Sequence, residues 1–227
     1  MPIRRSASVL LLLFALAASV ASAQSRLVTR WAAAVDTLHP LPEYPRPEMR
    51  RSSWLDLNGP WDYAIQDGHA ARPEHWDGRI VVPFAVESQL SGVRRPVLPS
   101  QALWYRRRVE VRPAAGTRWL LHFGAVDWST TVWVNGKVVG RHVGGYDPFT
   151  FDVTSKLAAS GSQEIVVQVT DPTDSGGQPR GKQVLKPGSI WYTAVTGIWE
   201  SESLSYRSFA GTQPSAPRVN SSAFSRV

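Results

Sequence analysis

The sequence predicts an all-β chain built as an antiparallel two-sheet jelly roll. Strand-like runs recur at short intervals with Gly and Pro turns between them, and the chain beyond residue 23 has no apolar 3.6-residue repeat of helix length. Asn135-Gly136, between TVWV and KVVG, is a hairpin signal, because both residues tolerate the positive φ of a type I′ turn. Eight or so short strands without a long helix fit two packed antiparallel sheets.

Taken in order, the chain opens on a targeting segment. Arg4 and Arg5 form a positive region, Val9 to Ala18 an apolar one, and Ala21-Ser22-Ala23 a small-residue cleavage pattern. About ten apolar residues are too few to cross a bilayer. With no cysteine in the chain, neither a lipid anchor at a signal-peptide cysteine nor a disulfide is possible. Residues 1–23 therefore read as a signal peptide cut near Ala23, and the product as periplasmic or secreted, with no membrane partner. Residues 24–50 form a proline-rich arm, with Pro40, Pro42, Pro45 and Pro47 in one ten-residue run, expected to lie on the surface. One jelly-roll domain is expected over 51–200. Its strands are expected at Trp61–Ile65, Arg79–Val82, Leu103–Val111, Arg118–Val126, Thr131–Val134, Lys137–His142, Phe149–Val153 and Glu164–Thr170.

Alternation assigns faces within the strands. Tyr105, Arg107, Val109 and Val111 share one face, and Trp104, Arg106, Arg108 and Glu110 the other. Arg107 thus points with the apolar set, where an unpaired guanidinium is costly. Either it leans out at a sheet edge, or it forms a buried bidentate pair with a carboxylate such as Asp127 or Glu87. Gly144-Gly145 reads as a corner after the hairpin. Trp61, Trp119 and Trp133 are expected in the core. Trp191 and Tyr192 lie in a Gly/Pro/Lys-rich loop, Gln178–Thr196, of the kind that carries binding residues on a rigid scaffold.

The formal net charge of +7 comes from a modest arginine excess whose only runs beyond the signal segment are Arg50-Arg51, Arg94-Arg95 and Arg106 to Arg108. These are too short for a nucleic-acid stripe. No HExxH, GxSxG, GxGxxG or P-loop occurs, and His39, His69, His75, His122 and His142 show no metal spacing. Neither cofactor nor metal is expected. Asp171 and Asp174, in DPTD, are turn chemistry first, with a structural cation as the minority reading.

The wording of the chain goes further than its spacing. LNGPWDY (57–63), VPFAVESQLSGV (82–93), LWYRRRVEV (103–111), LLHFGAVDWSTTVWVNGKVVGRHVGGYDPFTFDVT (120–154), QEIVVQVTDPTD (163–174), QPRGKQ (178–183) and IWYTAVTGIW (190–199) occur in this order. Together they resemble the N-terminal sugar-binding domain of glycoside hydrolase family 2, the β-galactosidase and β-glucuronidase family. The resemblance implies a galactose-binding-domain-like sandwich, a carbohydrate partner with a β-linked sugar, and a loop reaching the rim of a catalytic pocket on a neighbouring barrel. The rim candidates are Gln183, Lys186, Trp191 and Tyr192; Arg107, Asp127, Asn135, Gly136, Gly144 and Gly145 are structural candidates. Catalysis by retention needs two carboxyl groups roughly 5–5.5 Å apart; in this family both are glutamates on a C-terminal barrel. That barrel and the immunoglobulin-like domain before it have no counterpart here, so no catalytic residue is assigned and the chain alone is expected to be inactive.

After Trp199 the text becomes serine-rich, with eight serines in residues 201–227. A disordered tail is expected there, either of a short protein or of a reading frame that leaves the family's frame near Glu200. Three functions stay open: the N-terminal piece of an exported family 2 glycosidase, a stand-alone carbohydrate-binding module, and an interaction domain without a sugar ligand. The sugar itself is not legible.

Overall fold

The computed structural model describes residues 29–43 and 53–208. The signal segment, the remainder of the arm and residues 209–227 lie outside the described residues. Residues 29–34 belong to a small N-terminal unit of their own, with a 3-10 turn at Ala32–Ala34. Everything below concerns the second unit, from Val35 onward.

Fourteen strands are present among its described residues: β1 (Trp54–Asp56), β2 (Gly59–Asp67), β3 (Gly78–Val82), β4 (Gln101–Glu110), β5 (Thr117–Phe123), β6 (Val126–Asp127), β7 (Ser129–Val134), β8 (Lys137–Val143), β9 (Phe149–Asp152), β10 (Ser162–Thr170), β11 (Gln183–Val184), β12 (Tyr192–Thr193), β13 (Gly197–Ile198) and β14 (Glu202–Ser208). A six-stranded sheet runs β3-β2-β4-β10-β7-β8, and a four-stranded sheet β1-β14-β5-β9. Both are antiparallel throughout. Two small pairs, β13-β6 and the parallel β11-β12, complete the set. Among the described residues no helix is long and apolar enough to cross a membrane.

The inner faces follow the alternation read from the sequence. Trp61, Leu103, Tyr105, Ile165, Val167, Val132 and Val134 come from the six-stranded sheet and meet Trp119, Leu121, Phe123 and Leu204 from the other. Trp61 meets Tyr105 edge-on at 6.3 Å between ring centroids, and Trp119 stacks on Tyr206 at 4.9 Å. Each indole N–H in this layer finds an acceptor: Trp61 Nε1 donates to Leu57 O, Trp119 Nε1 to Thr117 Oγ1.

Asn135 and Gly136 turn the β7–β8 hairpin with φ of 50° and 75°. The asparagine also fastens the hairpin to its neighbours. Its Nδ2 donates to Lys156 O and Gln163 Oε1, and its Oδ1 accepts from Glu164 N. Gln163 is fully buried and donates in turn to Val111, Ala158 and Gly161 carbonyls. One amide cluster thus satisfies the loop backbone at this end of the sandwich.

Four expectations change. The domain does not stop at 200. β14 runs to Ser208, lies between β1 and β5, and buries Leu204 to 1% exposure. The alternation Glu202, Leu204, Tyr206 was masked by two intervening serines, Ser203 and Ser205, both buried in the sheet. Trp133 is not in the core: it lies on the outer face of the six-stranded sheet, stacked on Trp104 at 5.5 Å. The arm is partly docked. Pro40 is buried, and Asn58 Nδ2 donates to the Pro40 and Leu41 carbonyls and to Ser201 Oγ.

Arg107 points inward, but neither Asp127 nor Glu87 is its partner. Its Nη1 donates to Leu57 O at 2.7 Å and Asn58 O at 2.8 Å, and its guanidinium lies 5.9 Å from the Trp61 ring centroid. The charges nearest it in effect are Asp56 and Glu202; burial still pulls its pKa down. Glu202 is 1% exposed, with both carboxylate oxygens lacking a hydrogen-bond partner among the described residues. Burial holds its pKa well above the usual carboxylate range, with Arg107 opposing and Asp56 adding to the rise.

Replacing Leu204 with Ala should cost about 3 kcal/mol in urea unfolding; a dispensable tail would show no change in midpoint. Arg107→Met should cost about 3 kcal/mol, because two carbonyls and a buried glutamate lose their cation. Because the Glu202 pKa is raised in the folded state, its contribution to stability is full below the unfolded value near 4.5 and declines as pH rises. Glu202→Gln should therefore gain on the parent as pH is raised from 4 to 8, read as a widening difference in melting temperature.

Candidate polar site under an aromatic rim

The segment from Asp171 to Trp199 crosses one end of the sandwich, and four buried or half-buried carboxylates hold it there. Asp171 Oδ1 accepts from Thr173 N at 2.7 Å, an Asx turn that fixes the departure from β10. Its Oδ2 accepts from Thr196 Oγ1 at 2.8 Å, twenty-five residues on. Thr196 N donates to Glu87 Oε2 at 3.0 Å, so one buried threonine links two carboxylates. Asp174 Oδ2 accepts from Leu185 N. Both aspartates of DPTD thus satisfy loop backbone, and among the described residues no group of three or more His, Asp or Glu is arranged to hold a metal ion.

Asp127, 4% exposed, is the fourth carboxylate. β6 pairs with β13 in the register Asp127↔Gly197, which brings the returning loop beside it. Gly197, at φ 88°, leaves the space that the Tyr105 hydroxyl fills, and that hydroxyl accepts from Ile198 N. Gly145 abuts the Asp127 carboxylate so closely that a Cβ there would lie 2.6 Å from Oδ1. The corner glycine is thus required by a buried carboxylate, whereas Gly144 supplies the turn with φ 137°. Gly145 O also accepts from Trp199 Nε1 at 2.8 Å, and Tyr146 meets Trp199 edge-on at 6.1 Å.

Burial pushes the Asp127 carboxyl up to about 7, the negative Asp171 adds to the rise, and a hydrogen bond from the Gln183 side chain opposes it. Glu87 is likewise raised to about 7 by burial, against the Thr196 N–H. Its Oε1 is buried and has no hydrogen-bond partner among the described residues.

The rim candidates divide. Trp191 and Tyr192 are 43% and 63% exposed, next to Ile190 at 60%. A tight turn lifts them: Trp191 N donates to Gly188 O, and Ser189 takes φ 54°. Lys186 is exposed. Gln183 is instead committed. Its Oε1 accepts from Val195 N at 2.6 Å, its Nε2 donates to Tyr146 Oη at 3.3 Å, and it also bonds Asp127. Register places it beside Tyr192, so it ties the rim to the polar site rather than offering itself to a ligand. Lys182, whose Nζ lies 5.8 Å from the Tyr192 ring centroid, belongs to the rim and was not foreseen. Nor were Thr196, Tyr146 and Trp199, which carry no signal beyond their presence in the family-like strings.

Comparison with known proteins decides the family. Residues 55–204 match the model for the sugar binding domain of glycosyl hydrolases family 2. The chain belongs to this family. It is 28% identical over 142 residues to a β-glucuronidase of Paenibacillus borealis, covering 60% of this chain and 23% of that protein. With a β-galactosidase of Thermoanaerobacter pseudethanolicus it shares 35% identity over 83 residues, 36% of this chain and 11% of that one. Family 2 relatives of this kind are thus matched over less than a quarter of their length. Among solved structures, a β-glucuronidase from an uncultured Clostridium superposes with a TM-score of 0.52 at 22% identity, covering 70% of this chain and 30% of the other. A Bifidobacterium dentium β-glucuronidase gives 0.50 at 22%, over 70% and 31%. These likenesses establish the fold: the family 2 sugar-binding domain is an antiparallel β-sandwich, and this chain has it.

Asp127 and Glu87 hold protons in the folded chain between about pH 4 and pH 7 that the unfolded chain has released. Their contribution to stability is complete below pH 4 and is lost as pH rises to 7. Asp127→Asn should gain relative to the parent by on the order of 2 kcal/mol between pH 4.5 and pH 8, measured as urea midpoints across that range. Parallel curves for the two proteins would place the Asp127 pKa in its ordinary range.

Proposed function

We propose that this chain is the N-terminal sugar-binding domain of an exported family 2 glycosidase, and that it lends an aromatic edge to a β-linked sugar bound mainly by another domain. The observation that carries the reading is the exposed Trp191–Tyr192 pair, held by a loop whose polar groups are spent on fixing its position. Indole and phenol rings give large, stiff contact area to the apolar face of a sugar, and Lys182 adds charge beside Tyr192. A wholly flexible loop would lose that contact to ordering entropy, whereas one pinned through Thr196, Gln183 and Asp171 does not.

The carboxylates of this end are unsuited to hydrolysis. Asp171 is committed to Thr173 and Thr196, and Glu87 to Thr196. A glycosidase pair needs one carboxyl to protonate the leaving oxygen and the other to attack or activate water. Turnover is therefore assigned to residues outside this chain. The relatives named β-glucuronidase and β-galactosidase support a β-linked substrate and leave its identity open. The reading as an exported protein rests on the signal-like segment, and N-terminal sequencing of the cell-envelope fraction should find Gln24 first.

Purified protein should turn over no nitrophenyl β-galactoside, β-glucuronide or β-mannoside. It should bind the corresponding free sugars with a Kd of about a millimolar, seen as shifts of the Trp191 indole N–H in NMR titrations. Trp191→Ala should remove the binding without moving the melting temperature. Turnover that survives purification and vanishes on changing one carboxylate of this chain would overturn the proposal.

A further inference from the structure

The outer face of the six-stranded sheet carries a second aromatic surface, separate in composition from the loop rim. One cross-strand row traverses all six strands: Arg79, Asp62, Arg106, Val166, Trp133 and Val138 stand side by side in register. With strands roughly 4.8 Å apart, the row is about 24 Å long. One half is ionic: Asp62 accepts from Arg79 Nη1 and from Arg106 Nε and Nη2 at 2.7–2.9 Å. The other half is apolar, ending on Val138 at 50% exposure and Val143 at 61% on the same face.

The aromatic rings of this face are organised. Trp104 is buried against Ala64, Ala102 and Val166, and the half-buried Trp133 stacks on it at 25° between planes. Half-buried Trp76, from the 68–77 loop, lies with its ring centroid 4.5 Å from the Arg106 guanidinium. These rings contribute nothing to the central core, which closes without them. Hydrophobic and aromatic area on a rigid outer sheet face marks a contact surface.

Charge selects the occupant. Arg79, Arg106, Arg108 and Arg141 on the strands, with Arg72 from the loop, outnumber Asp62, Glu110 and Glu164 on the same face. Glu164 is shared by Arg72 and Arg108, and Asp62 by Arg79 and Arg106, so each carboxylate orients two guanidinium groups and neutralises one. What remains is a sheet surface with stacking rings and surplus oriented guanidinium groups. Guanidinium forks match carboxylates, and indole faces match the C–H faces of pyranose rings.

We propose that this face binds an acidic polysaccharide, a chain bearing uronate carboxylates, lying along the cross-strand row with sugar rings on Trp133 and carboxylates at Arg79, at one end of the row, and at Arg108, beside its middle. The surface goes beyond the loop site of the preceding section and serves to hold the protein on polymeric substrate.

Affinity electrophoresis of the full chain through gels containing polygalacturonate tests this, with neutral galactan and a single-stranded oligothymidine as comparators. Polygalacturonate should retard the protein, galactan should not, and the retardation should fade on raising salt from about 50 to 500 mM. Trp133→Ala should weaken it about ten-fold, as should Arg79→Gln combined with Arg108→Gln. Should Trp133→Ala fail to fold, Val138→Glu, at an exposed position of the same row, should weaken binding with an unchanged melting temperature. Trp191→Ala should leave retardation intact, so loss of the loop site and loss of this face are read separately. Absence of retardation, equal retardation by galactan, tighter binding of the oligothymidine, or indifference to Trp133 and Val138 would each overturn the proposal.

Discussion

The sandwich depends on β14. It is the only described strand that joins β1 to β5, and without it the four-stranded sheet would present two unpaired strand edges and an open core. Its residues also act beyond the ladder. Glu202 O accepts from Leu57 N, Glu202 N donates to Asn58 Oδ1, and Leu204 fills the centre of the apolar layer. The last described strand therefore locks the first, and the docked part of the proline arm follows through Asn58.

Polar groups fix the two ends of this apolar body in different ways. Near β1, one arginine serves two main-chain carbonyls and faces the charges of Asp56 and Glu202. Near β13, among the described residues, no arginine or lysine appears in the hydrogen bonding of Glu87, Asp127 and Asp171; a hydroxyl, backbone N–H groups and the Gln183 amide serve instead. Burial raises carboxylate pKa values at both ends; at the first the Arg107 charge opposes the rise, and at the second uncharged hydrogen-bond donors do. At the loop end, beside the aromatic rim, burial holds two carboxyls up to about 7.

The six-stranded sheet has two useful faces. Its inner face is spent on the core, and its outer face combines stacked indoles with paired charges on a backbone held by five ladders. The loop rim and this outer face differ in chemistry: the first is aromatic with lysines, the second aromatic with arginines. Two such surfaces on one rigid domain suit binding a polymer at more than one point.

The sequence by itself determined the fold class, the inner faces of the long strands and the Asn135-Gly136 hairpin, because alternation and turn chemistry act over a few residues and need no distant partner. It also marked Trp191 and Tyr192 as loop residues. Only the tertiary structure decided what happens where residues far apart meet. β14 was hidden because serine carries no hydrophobic signal, and Ser203 and Ser205 are buried by their neighbours rather than by their own chemistry. Trp133 was misplaced because alternation separates two faces without saying which one meets the other sheet. Asp127, Glu87, Asp171 and Thr196 form one site across a span of more than a hundred residues, joined by a loop whose return is set by the β6–β13 register. Such closure is a property of packing, where a carboxylate, a threonine and a glycine fit only in the company of one another.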